Sequence, residues 1–370
     1  MPQPAPHRER FGRAPDGQPV DLWRLESASG VVAEILTYGG VLHRLAVPDD
    51  SGRTASVVLS LPDVPAYAAR SPYFGALVGR YANRIARGRF SLDGHAHQVP
   101  ANDRGHALHG GPEGFHSRVW RAEPAGRGAA VRLSLLSPDG DMGFPGELAV
   151  SVVYALDERG TLSLDFEAVC DRPTVVNLTN HAYFNLGGAG SGNVLSQLVE
   201  VDADHYLPVA PDAIPLGAPR AVAGTAFDLT RARPIGAATA AGDEQVRQAG
   251  GLDHCWVLRP PASPGAARRA ARLADPVSGR ALEVWTTEPG LQVYTANGLD
   301  GTLADAEGHQ HPRHGGVCLE TQHLPDSPNR PQYPNTVLRP GERFTSRTEF
   351  RFTHLPSARR PTPGPWSSQP

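Results

Sequence analysis

No lysine occurs anywhere in the 370 residues; all 35 basic side chains are arginine. That excludes Schiff-base chemistry, a lysine general base and the lysine of a phosphate-binding loop. Cysteine is also scarce. Cys170, Cys255 and Cys318 lie far apart and form no CxxC pair, which argues against a zinc site or a redox dithiol. An odd, sparse set fits a reducing compartment. No run approaches the roughly 18 apolar residues of a membrane helix. The start, MPQPAPHRER, lacks the apolar core of a secretory signal, so a cytoplasmic location is expected. A formal net charge of −3 is close to neutral and argues against nucleic acid or an anionic membrane as the main partner. Long helical patterns are missing too. "AGDEQVRQAG" (241–250) is one short candidate.

What is present reads as strand. "VVAEILTYGGVLHRLAVP" (31–48) suggests two strands joined at Gly39-Gly40. "AAVRLSLLS" (129–137), "ELAVSVVYAL" (147–156) and "TLSLDFEAVC" (161–170) alternate or run β-branched, with turn clusters between them. "RRAARLADPVSGRALEVWTT" (268–287) reads as a hairpin, and "GVCLETQ" (316–322) and "ERFTSRTEFRFTHL" (342–355) as closing strands. Many strands with Gly/Pro turns and few short helices predict an all-β fold, an antiparallel sandwich or barrel. No repeat or linker divides the chain. One domain over 11–354 is expected, with disordered tails over 1–10 and 355–370.

Five stretches carry polar groups that a sandwich core does not require. In "VGRYANRIARGRF" (78–90), Asn83 and Arg84 either decorate a solvated strand edge or donate to hydroxyl oxygens in a cleft. In "HALHGGPEGFHSRVW" (106–120), His109 is a satisfied structural histidine or a site donor, while His106 and His116 are expected at the surface. Gly110-Gly111 allows a tight turn or a close backbone approach to a ligand. "VVNLTNHAYFNLGG" (175–188) surrounds His181 with amides and aromatics, which suits a pocket that reads hydroxyl groups. In "GGLDHCWVL" (250–258), Asp253 caps a turn or accepts from a sugar hydroxyl, and Cys255 reads as buried and inert. In "GGVCLETQHLPDSPN" (315–329), Glu320 ends an apolar strand. An acid there is costly unless paired or functional, and burial would raise its pKa toward that of a working base.

Together these stretches resemble the aldose 1-epimerase (galactose mutarotase) family over roughly residues 11–354. "GRYANRI", "LHGG…GF…RVW", "SPDGDMGFPGEL", "NLTNHAYFNLGG", "LDHCWVL", "EVWTTEPGLQVYTANGLDGT" and "GVCLETQHLPDSPN" follow in the family's order. The resemblance implies a large antiparallel β-sandwich, the galactose mutarotase-like supersandwich, with the sugar in a cleft across one sheet. Carried over by motif, Glu320 looks like the general base, His181 like the general acid and His109 like a second active-site histidine. Asn83, Arg84, Asp253 and Gln292 look like sugar-binding residues. His116-Ser117 and Ala107 depart from the family's usual residues beside two motifs, which leaves the fine substrate preference open.

Interconverting α and β anomers needs a proton removed from the anomeric hydroxyl while another reaches the ring oxygen. A glutamate and a histidine near neutral pH suit this, each contributing about 10²–10⁴-fold. No redox step occurs and no bond forms to the protein, so no cofactor or metal is expected; the partner is a small sugar. Three rivals remain. A glycoside hydrolase would pair Glu320 with Asp253. A non-catalytic carbohydrate-binding relative would not need Glu320 or His181. An epimerase of a phosphorylated hexose would gather extra arginines in the cleft; Arg80, Arg84 and Arg87 are the candidates, and the sequence does not say whether they converge. Preference among galactose, glucose and pentoses, and monomer against homodimer, are not legible in the sequence.

Overall fold

A computed structural model describes residues 4–126 and 128–356. Two large antiparallel sheets form the sandwich. The nine-stranded sheet runs in the order Arg121–Pro124, Ala130–Ser137, Leu148–Leu156, Leu162–Cys170, Phe344–His354, Arg280–Thr286, Arg268–Ala274, Leu198–Val201 and Arg233–Pro234. The six-stranded sheet runs Tyr183–Phe184, Val317–Gln322, Gly290–Tyr294, Asp253–Val257, His205–Leu207 and Arg220–Ala221. A five-stranded meander from His7–Arg13 to Thr54–Ser56 precedes them.

The alternation in the sequence explains the packing. Along Leu148–Leu156 every second residue is fully buried, because successive side chains leave a strand on opposite faces. Leu133, Val152, Leu164, Val284 and Phe350 of the larger sheet share one apolar core with Leu291, Val293, Val317 and Leu319 of the smaller. Val317–Gln322 is buried along its whole length. Val317 and Leu319 face that core, so Cys318 and Glu320 face the other way, Cys318 into a second apolar cluster with Tyr183 and Ala296 and Glu320 into a cleft.

The helix expected in 241–250 spans Glu244–Ala249, with the Asp243 side chain accepting from Gln245 N–H and Gly250 in the left-handed region at φ 71°. Two further short helices, Val64–Arg70 and Ile235–Thr239, were not expected. The tail expected over 1–10 is corrected: residues from His7 form a strand paired with Pro19–Glu26. Its sequence, HRERFGR, is charged and exposed, and Arg8 and Arg10 both reach Asp21. At the other end Leu355 is buried and donates its N–H to Gly279, so the expected tail does not begin there. Residues 357–370 of that tail lie outside the described residues. Among the described residues no helix is long and apolar enough to cross a membrane.

Candidate active site

The register of the six-stranded sheet assembles one side of the cleft. Glu320 pairs directly with Gln292 on the neighbouring strand. Gln292 in turn pairs with Cys255, two residues beyond Asp253, so Asp253 is a diagonal neighbour on the same face. The Gln292 side-chain NH₂ donates to Asp253 Oδ1 over 2.7 Å. The Gln292 carbonyl oxygen and Glu320 Oε2 are buried and have no hydrogen-bond partner. Two unmatched acceptors, side by side, suit a ligand that brings hydroxyl protons.

The facing side comes from three loops. The short strand Thr179–Asn180 pairs with Leu77–Val78 and delivers His181. His181 Nε2 lies 3.7 Å from Glu320 Oε1, too far for a direct hydrogen bond. That gap suits two groups addressing different oxygens of one small ligand. His109, at φ 54°, donates its backbone N–H to Asn83 O and accepts the Asn83 N–H at Nδ1 over 3.2 Å. The acceptor role of Nδ1 assigns the proton of the neutral ring to Nε2. The Asn83 side-chain oxygen accepts the Arg84 N–H, and the Arg84 guanidinium grips Asp103 through Nε at 2.9 Å. Gly110 has φ 84°, and a side chain there would strike the Gly79 carbonyl. Its close approach is therefore to backbone, not to a ligand.

Burial sets the charges. Glu320 is pushed well above the usual carboxylate range by desolvation, and further by the charge of Asp253, while Arg84 opposes the shift. Desolvation lowers His181 to about 4, against its own carbonyl and Asp253. His109 is held well below the usual histidine value, first by desolvation and then by His181 and Arg84. Donor atoms of His109, His181 and Glu320 lie within 4.8 Å of one another, a spacing seen in metal clusters. The bond from Asn83 N–H to His109 makes this ring a donor toward the cleft rather than a ligand.

All seven residues singled out in the sequence (Asn83, Arg84, His109, His181, Asp253, Gln292 and Glu320) line one cavity of about 400 Å³. A larger hollow of about 560 Å³ lies on the outer face of the nine-stranded sheet near Leu136 and Val169, away from Glu320 and His181. The sequence leaves open whether Arg80 and Arg87 reach the cleft; neither lines it. Arg80 is buried and donates to the carbonyls of Ser137, Pro138, Pro145 and Gly146. Arg87 lines a separate hollow with His106 and Arg330. His106, expected at the surface, is buried and accepts the Arg87 N–H over 2.8 Å. His116 is largely covered, packed against Tyr73 with ring centroids 4.7 Å apart.

The asparagines around His181 also differ from the expectation that they read hydroxyl groups. Asn177 bonds to Ala82 and His323, Asn180 to Gly75, and Asn185 to Gly192 and Gly315, all through backbone carbonyls. They fasten loops. The sequence reading missed Tyr73, whose ring packs on His109 at 4.6 Å and His181 at 5.7 Å, and Tyr183, at 5.1 Å from His181. It also missed the cleft residues Tyr294, Asp103 and Arg104. Tyr183 lies inside the "TNHAYFNL" stretch, which was the available signal; Tyr73 gave none of its own.

A family model described as Aldose 1-epimerase matches residues 21–351. Galactose mutarotase from Mus musculus is 42% identical over 347 residues, 94% of this chain and 98% of the relative. Aldose 1-epimerase from Escherichia coli (strain K12) is 38% identical over 341 residues, 92% of this chain and 97% of the relative. The solved structure of galactose 1-epimerase from Lactobacillus acidophilus NCFM superposes with a TM-score of 0.83 at 30% identity, covering 94% of this chain and 98% of that one.

Proposed function

The chain belongs to the aldose 1-epimerase family and interconverts the anomers of aldoses; from that premise we propose that it acts on free aldohexoses, galactose and glucose, with Glu320 as general base and His181 as general acid. The observation that carries this reading is the buried, unpartnered Glu320 Oε2, with the other oxygen of the same carboxyl 3.7 Å from His181 Nε2.

The cycle balances on a single proton. In the reactive form of the closed-ring complex Glu320 is the carboxylate and His181 the imidazolium, the minor arrangement of the shared proton, since burial favours the proton on Glu320 in the free site. Glu320 takes the proton of the anomeric hydroxyl as the C1–O5 bond breaks. His181 gives its Nε2 proton to O5. The open-chain aldehyde then lies between a neutral acid and a neutral imidazole. Rotation about C1–C2 presents the other carbonyl face, and both transfers reverse. The two residues hold one proton between them in the closed form and one in the open form. His109 donates from Nε2 and positions the ring, Arg84 donates to a hydroxyl oxygen, and Asp253 and the Gln292 carbonyl accept from hydroxyls.

The rivals fit the cleft less well. A phosphorylated sugar would call for several convergent arginines, yet Arg80 and Arg87 do not line the cleft, Arg84 is engaged by Asp103, and Arg104, the other arginine of the lining, donates to Pro211 O over 3.4 Å. A hydrolase would leave His181 idle, and a binding module would not need a buried acid–base pair. Polarimetry tests the proposal. Fresh α-D-galactose or α-D-glucose should reach its final rotation faster with wild type, and Glu320→Gln or His181→Asn should lose most of that gain. If wild type leaves both sugars at the uncatalysed rate and speeds a hexose phosphate, the free-hexose assignment is wrong.

A further inference from the structure

The cycle uses Nε2 of His181 and leaves its other ring nitrogen without a task. Cys318 precedes Glu320 by two residues, so both side chains leave the same face of one strand. Tyr183 is its cross-strand partner. The thiol is fully buried, and its sulfur lies 3.6 Å from His181 Nδ1. We propose that Cys318 is a positioning residue, its sulfur accepting the Nδ1–H of His181 and so reserving Nε2 for proton exchange with the sugar. The inference rests on the acid role of His181 proposed above.

A neutral imidazole carries one proton, and its partners decide which nitrogen holds it. After giving a proton to O5, His181 must keep Nε2 bare, because the same nitrogen takes that proton back on ring closure. An Nε2–H tautomer would block the return. Nδ1 must therefore be held as the donor. Cys318 supplies the side-chain acceptor on that side.

The chemistry of the acceptor matters. A carboxylate at Nδ1 would stabilise the imidazolium and weaken it as an acid. A thiol sulfur is a weak, neutral acceptor. Burial raises the Cys318 thiol well above its ordinary value, so no thiolate forms beside the ring. The other groups facing His181 are Glu320, Asp253, His109, His116 and the rings of Tyr73 and Tyr183. Cys318 thus orients the ring without making it more basic.

Nitrogen-15 NMR of histidine-labelled enzyme reads the tautomer directly, with His181 identified by the signal lost in His181→Asn. Wild type at neutral pH should carry the proton on Nδ1. Cys318→Ala should shift the ring toward Nε2–H and lower kcat about tenfold while KM stays within about twofold, the scale of one net hydrogen bond. Cys318→Ser, which restores an acceptor, should recover most of the loss. An Nε2–H tautomer in wild type overturns the proposal without any variant, so a folding failure of Cys318→Ala does not protect it. An unchanged tautomer and kcat in a folded Cys318→Ala also overturn it. Full activity in Glu320→Gln or His181→Asn is a separate result, which would sink the acid–base reading itself.

Discussion

Gln292 and Glu320 stand directly opposite each other on neighbouring antiparallel strands, and both present an unpartnered oxygen to the same cleft. Asp253 fixes the Gln292 amide by accepting from its nitrogen, which turns the carbonyl outward. Asp253 also raises the Glu320 pKa through its charge. Asp253→Asn should therefore do two things. KM for galactose should rise at least about tenfold, since one charge-assisted bond is worth about 1.5–3 kcal/mol. The basic limb of the pH–activity curve should move to lower pH, because Glu320 then ionises more readily. A raised KM with an unmoved basic limb would show that Asp253 binds sugar without tuning the base.

Glu320→Gln should cost about 10²–10⁴-fold in kcat, the contribution of one general base. It should also stabilise the fold. The folded-state pKa of Glu320 lies above its unfolded value. Between those values the folded chain binds more protons, so wild-type stability falls as pH rises above about 4.3, the model-peptide value. The glutamine variant lacks this dependence. Thermal melts at pH 5 and pH 8 should show its advantage over wild type growing with pH, and an advantage that shrinks would contradict a raised Glu320.

Much of this architecture was legible in the sequence. The alternation of Leu148–Leu156 and the Asp243 and Gly250 caps follow from local chemistry. Glu320 declared itself as an acid at the end of an apolar strand. Other features depend on contacts that no local pattern carries. Tyr73 matters because its ring packs on three histidines from two other segments. Cys318 matters through the register that sets it beside His181. His106 looked like a surface residue because its acceptor role depends on a turn at Arg87. The asparagines beside His181 have the same residue types as a sugar-reading loop, and the fold spends them on backbone.

The pH profile of kcat/KM should be bell-shaped with an unusually acidic lower limb. His181 takes a proton in the free enzyme at about 4, because burial opposes its charged form. Below that pH both residues are protonated and neither can accept. Above the raised value of Glu320 the shared proton is lost and no acid remains. Activity should therefore hold from about pH 5 upward into the neutral range. A lower limb near the ordinary histidine value of about 6.5 would mean that His181 is not desolvated as the cleft implies.

Asn177 offers the sharpest test of how the two sides of the cleft are held together. It is fully buried, and its amide nitrogen donates to Ala82 O over 3.0 Å and to His323 O over 3.3 Å. Its oxygen accepts the His323 N–H over 2.9 Å. Ala82 leads directly into Asn83-Arg84, and His323 follows Glu320 by three residues. One side chain therefore ties the Asn83-Arg84 segment to the strand that carries Glu320. Asn177→Ala leaves Ala82 O and the His323 N–H without their partner, while His323 O keeps the Gln322 side-chain NH₂, and should cost about 3 kcal/mol in urea denaturation. Because a shift of about 1 Å in a catalytic group can cost about 10²-fold, kcat/KM should drop on that scale even where the variant remains folded. Asn177→Asp should do no better, since its second oxygen would face two carbonyls. Stability within about 0.5 kcal/mol of wild type, together with unaltered kcat/KM, would show that the sheet register alone holds the two sides in place.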